Sequence, residues 1–130
     1  MKKQILSVVI GTVFIAILSG CSSIDTAARL NNQKLTAVDA DPIAHLNGDA
    51  WGVYLFNLPI LTGSTNYPGT CAIFKDSVTV DKTVYMVTRR SRELGASKIT
   101  DLQSSQSSNM IFPLFIFFVR EVQVSGNAIK

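Results

Sequence analysis

The start of the chain constrains it most. Lys2 and Lys3 precede a run from Ile5 to Leu18 that carries no charge, and the run closes on Leu18-Ser19-Gly20-Cys21. A positive start, a short apolar segment and a small-residue exit are the parts of a secretory signal. The apolar run holds fourteen positions, diluted by Ser7, Gly11 and Thr12. A helix needs about 20 apolar residues to span a bilayer comfortably, so the run reads as a leader, not an anchor. Removing residues 1–20 from the 130 leaves 110 for folding, enough for one small domain.

A leucine three positions before a cysteine, with two small residues between, resembles the lipobox of bacterial lipoproteins. The resemblance implies that Cys21 becomes the first mature residue and carries acyl chains such as palmitate. Each buried CH2 contributes about 0.8 kcal/mol, so several chains on one residue hold a protein to a membrane effectively permanently. Ser22 stands where lipoproteins retained at the inner membrane tend to have aspartate. The same resemblance therefore points to the outer membrane, on the periplasmic side.

Processing changes the charge and the cysteine count. The full chain has 12 Lys+Arg against 9 Asp+Glu; losing Lys2 and Lys3 leaves ten against nine, a net of +1. A net charge so close to zero gives no reason to expect nucleic acid as a partner. Two cysteines in an exported chain ordinarily suggest a disulfide. A thioether on Cys21 would preclude one and leave Cys71 as a buried, free thiol.

Residues 21–48 read as a lipidated tether. Polar residues dominate there, with Leu35 to Val38 as an extended piece, and Pro42 and Asn47-Gly48-Asp49 mark a turn. Residues 49–130 read as the domain. Trp51 to Leu61 is rich in β-favouring residues and predicts a strand buried on both faces, with Pro59 near its exit. Gly63 to Gly69 is a loop by composition, and Cys71 to Phe74 a short extended piece. Thr79 or Asp81 caps a helix whose buried stripe is Val84, Val87, Ser91 and Leu94, with Gly95 as its stop. Ser97 to Leu102 predicts a strand, Gln103 to Asn109 a polar loop. From Phe118 onward, Phe118, Arg120, Val122 and Val124 alternate with Val119, Glu121, Gln123 and Ser125, the pattern of a strand with one wet face.

This order predicts an α+β fold, a small mixed β-sheet with one main helix packed on it. If its first two strands are parallel neighbours, the helix is a right-handed crossover. A domain this small leaves a homo-oligomer or membrane contact as ways to finish the core. Ser91-Arg92-Glu93-Leu94-Gly95-Ala96-Ser97-Lys98-Ile99 and Val122 to Lys130, a helix exit into a strand and a closing strand with glycine, resemble the ends of small envelope lipoproteins. They resemble more loosely the YbjQ-like and RcsF-like α+β domains.

No catalytic signature emerges. His45 is the only histidine, and with Asp39, Asp41 and Asp49 around it a solvated turn is expected, since zinc sites want three or four well-spaced N or S ligands. A Cys71–His45 nucleophilic pair has no third group indicated by the spacing. Ser64 lies outside any Gly-x-Ser-x-Gly elbow, and no phosphate or dinucleotide loop occurs. No cofactor is expected. Tyr85, Arg89 and Arg92 share a helix face, either simply solvated or a basic patch toward an anionic leaflet. Met110 to Val119 holds four phenylalanines and no polar side chain. A buried strand with its lead-in is one reading of the run; Pro113 argues against a central strand through all of it, so Ile111, Phe112 and Leu114 are candidates for an exposed lip touching lipid or a partner. The expected role is a non-enzymatic envelope interaction module. The alternative is a small-ligand or stress-sensing module using residues 110–119 and Cys71.

Overall fold

The computed structural model describes residues 4–5, 7–8, 11, 21–36, 40–111 and 115–130. Among the described residues, eight strands and one main helix follow one another as β1 Ser22–Ala27, β2 Arg29–Leu30, β3 Gln33–Lys34, β4 Pro42–Leu55, β5 Leu58–Gly63, β6 Cys71–Ile73, α1 Val80–Glu93, β7 Lys98–Met110 and β8 Phe117–Ile129. Six of the strands form one sheet in the order β6-β5-β4-β8-β7, with β1 also on β4, while β2 and β3 form a separate hairpin. The fold is α+β in the coarse sense and dominated by its sheet. Every described pairing is antiparallel, so no parallel neighbours exist for α1 to cross between.

β4 is the spine. Its even positions Ala44, Leu46, Gly48, Ala50, Gly52 and Tyr54 are buried, and the odd positions between them are not. On β8 the matching rungs place Val122 opposite Ala50, Val124 opposite Gly48 and Ala128 opposite Ala44, all buried on the same face. α1 lies on that face. Thr79 caps it, its side chain accepting from the Lys82 N–H, and Thr83, Met86, Val87 and Ser91 are its buried residues. Val87 and Ser91 were readable from helical spacing; Thr83 and Met86 belong to the same stripe, and Val84 and Leu94 sit at its half-buried margin. The helix lies so close to the sheet that a Cβ on Gly48 would stand 2.6 Å from Val87 Cγ2.

That contact explains one departure from expectation. Asn47-Gly48-Asp49 has turn composition but lies within β4, because Gly48 admits the helix while Asn47 and Asp49 face the other, wetter side. The boundary expected at residue 48 falls inside this strand, and Ser22 to Ala27, expected to be tether, pairs with Ala50 to His45. Of the extended piece expected at 35–38, Leu35 and Thr36 belong to no strand, and Ala37 and Val38 lie outside the described residues.

Two other segments differ. The serine-rich stretch from Gln103 to Asn109 is strand, paired rung by rung with Ser125 to Val119 of β8. It gives no apolar signal because it is exposed on both faces. Trp51 to Leu61 is not one strand but a hairpin: Leu55 pairs with Leu58 across Phe56-Asn57, and Phe56 has a positive φ of 54°. Positive φ at the first central residue suits a two-residue hairpin turn.

Candidate functional site

Antiparallel order sends the C-terminal end of β4, the start of β5, the end of β6, the end of β7 and the start of β8 to one end of the sheet. Large apolar side chains stand exposed there. Phe56 is 64% exposed, Leu58 64%, Phe74 76%, Met110 52% and Phe115 61%, with Ile73 and Ile116 beside them. Backbone bonds tie the two turns together: the Phe56 N–H donates to the Ile116 carbonyl at 2.8 Å, and the Ile111 N–H to the Phe117 carbonyl at 2.9 Å. Phe56 and Phe74 both hold φ near +54°, a conformation that costs a bulky residue roughly 1–2 kcal/mol.

Behind this rim is a cavity of about 320 Å³ lined by Tyr54, Phe56, Asn57, Ser108, Phe118 and Arg120. The Arg120 guanidinium lies over the Tyr54 ring, 4.5 Å from its centroid. The Tyr54 hydroxyl donates to Asp76 Oδ1 at 2.7 Å. Burial raises the Tyr54 pKa, and the hydrogen bond and charge of Asp76 add to the rise, so the phenol stays protonated. The arrangement presents one cation, one amide and the hydroxyls of Tyr54 and Ser108 beside the rings of Phe56 and Phe118.

Cys21 lies on the same half of the molecule. Its carbonyl accepts the Trp51 N–H at 3.0 Å, and its side chain is fully buried. The approach is tight: a Cβ on Gly63 would fall 1.8 Å from the Cys21 carbonyl oxygen. Ser22 holds the entry with its hydroxyl on the Ser64 carbonyl at 2.7 Å, and the Gly69 N–H donates to the Ser22 carbonyl at 2.8 Å. Cys21 is joined to Cys71 of β6 in a disulfide closing a separation of 50 residues. Cys71 is therefore not the free thiol expected from the leader.

The remaining candidates scatter. Ile111 is half-buried just beyond β7, while Phe112 and Leu114 lie outside the described residues. Arg89 and Arg92 are on α1, away from the apolar end; Arg89 lines a shallow groove with Ile24, Pro68 and Met86 and pairs with Glu93 at 3.6 Å. His45 is in β4, its Nδ1 2.8 Å from Asn127 Oδ1, and Asn127 Nδ2 donates to Asp101 Oδ2 at 3.0 Å. Asp49 faces the same side but keeps company with Glu121. Burial raises its carboxyl to about 6, and the Glu121 charge pushes the same way. Asp39 is outside the described residues. Among the described residues no three His, Cys, Asp or Glu side chains gather as a metal site, and no helix is long and apolar enough to cross a membrane. Ser64 serves its own turn, accepting from the Tyr67 N–H at 3.2 Å.

Reasoning from sequence missed Phe56, Leu58, Phe74 and Arg120. The one signal available was Phe56-Asn57 between two apolar runs, a two-residue turn without glycine. No protein-family model, curated protein or solved structure matches this chain.

Proposed function

We propose that this chain is an exported envelope lipoprotein, anchored through Cys21, that acts as a non-enzymatic interaction module and contacts a protein partner with its apolar end. The observation that carries the contact is the exposed rim of Phe56, Leu58, Phe74, Met110 and Phe115 around a cavity holding Arg120 and Asn57. Phe, Met and Arg around a concave, partly polar centre match the composition of protein interfaces. Acyl chains alone have no use for the half-buried Arg120 guanidinium and the exposed Asn57 amide. Anchorage at the outer membrane is supported by the leader and by Ser22.

A photo-crosslinker placed at Phe56 or Phe115 of the full chain in its native host tests the contact. The expected result is one discrete adduct from both positions, absent from Tyr85 on α1 and abolished by Phe74→Ser. Equal adducts from Tyr85 would sink the reading. Cys21→Ala should release the chain from membranes and abolish fatty-acid labelling; retained label would refute the anchor.

A second reading rests on the Cys21–Cys71 bond: an exported protein stapled by a disulfide and cut before residue 21. One sulfur cannot carry both a thioether and a disulfide. Thiol titration of the denatured, unreduced mature chain separates the two. One reactive thiol, on Cys71, follows from lipidation; none follows from the staple.

A further inference from the structure

β7 ends the six-stranded sheet, and among the described residues no strand pairs with its outer side. Natural sheets blunt such edges with lysine, proline or bulges. β7 has a register shift between Thr100 and Gln103, with Asp101 at φ 53°, but from Leu102 to Met110 it carries no charge and no proline. All nine of these residues are exposed.

The nine residues also read nearly the same in both directions: Leu102-Gln103-Ser104-Ser105-Gln106-Ser107-Ser108-Asn109-Met110. A two-fold axis through Gln106 would set Gln106 opposite itself, Ser105 opposite Ser107, Ser104 opposite Ser108, Gln103 opposite Asn109 and Leu102 opposite Met110. Each pair matches like with like: amide with amide, hydroxyl with hydroxyl, apolar with apolar. Such self-complementarity is what a closed two-fold interface requires, because each contact is made twice. We infer that β7 pairs antiparallel with β7 of a second copy about a dyad at Gln106, joining two sheets into one.

The geometry of the rest of the chain agrees with that dyad. Directly opposite residues in an antiparallel pair share a face, so both α1 helices come to lie on one side of the joined sheet. Leu102, 47% exposed, and Met110, 52% exposed, cover one another. Ser22, Ala50, Val122 and Gln106 stand on one rung across β1, β4, β8 and β7. The two chain entries therefore fall on a single line through the dyad, at equal height, while the two apolar ends point away from each other and stay free. The pairing does not depend on the anchor or on the contact proposed above.

The test uses the full chain in membranes of a bacterial host under mild oxidation. Gln106→Cys places two thiols directly opposite, with Cα atoms about 5 Å apart, inside disulfide reach. Gln103→Cys places them roughly 20 Å apart along the strands, well outside it. The expected result is a covalent species of twice the chain mass from Gln106→Cys, at least about tenfold above Gln103→Cys. In the Gln106→Cys background, Ser104→Lys with Ser108→Lys should remove that species, and Ser104→Lys with Ser108→Glu should restore it. Both double variants alter the same two positions, so a difference between them reports pairing and not folding. Equal yields from Gln106→Cys and Gln103→Cys, equal yields from the two charge variants, or an adduct of another mass at position 106 would each overturn the dimer.

Discussion

The middle of the sheet and its apolar end are built from the same two strands and obey opposite rules. At Gly48 and Val124, β4 and β8 lie under α1, and the packing leaves no room for even one carbon on Gly48. Seven residues further along the same strands, at Leu55 and Phe117, the rung is followed by turns whose large side chains stand in solvent. The middle uses its smallest residues where contact is closest. The end spends its largest where nothing described covers them, and accepts positive φ at Phe56 and Phe74 to keep them there. Steric economy thus governs one region and presentation the other, and substitutions should separate the two.

The largest effect is expected in the middle. Val87→Asp buries an unpaired charge against Gly48 and should cost about 4 kcal/mol or more. Val122→Ala and Val124→Ala leave cavities beside the same helix and should each cost about 2 kcal/mol in denaturant melts. Costs below about 0.5 kcal/mol, the range of surface changes, would mean that α1 does not seal this face.

The end should respond in the other sense. Phe56→Gly relieves a left-handed backbone position, so stability should hold or rise by up to about 1 kcal/mol. Phe115→Ser should change stability by less than about 0.5 kcal/mol. Both should weaken partner crosslinking. A large loss of melting temperature from Phe115→Ser, with crosslinking intact, would make this end an ordinary part of the core.

This contrast also explains what could be read from the chain and what could not. α1 and β8 were legible because each has one buried and one wet face: Val87 and Ser91 repeat at helical spacing, and Val122 and Val124 alternate with Gln123. β7 was illegible, since a strand exposed on both faces has no apolar period, and its pairing comes entirely from β8. Asn47-Gly48-Asp49 misled because the glycine answers a tertiary demand from Val87, not a local turn. Within the apolar end, Met110 and residues 115–119 announced themselves by composition. Phe56, Phe74 and Arg120 did not, because only antiparallel pairing brings their separate segments to one end. The Cys21–Cys71 pairing was hidden by the lipobox resemblance, which implies a thioether on Cys21 instead.

The smallest effect should come from a third surface, the wet face, which neither the helix nor the apolar end touches. Asp49 there has a buried Oδ1 with no hydrogen-bond partner, and Glu121 lies beside it. Burial first and the Glu121 charge second raise its pKa from 3.8 to about 6 in the folded chain. A folded-state pKa above the unfolded value means that the native state binds the proton more tightly. Stability from this group is therefore greatest below about pH 4 and falls as pH rises through about 6. Asp49→Asn keeps the shape, removes the charge and supplies an N–H donor to the Glu121 carboxylate. The variant should melt higher than the parent at pH 8 and lose that advantage at pH 4, with the crossover between. Solvent at this open face screens the interaction, so the gain should be at most a few degrees. An advantage of equal size at both pH values would show that the charge of Asp49 is not what the wet face resists.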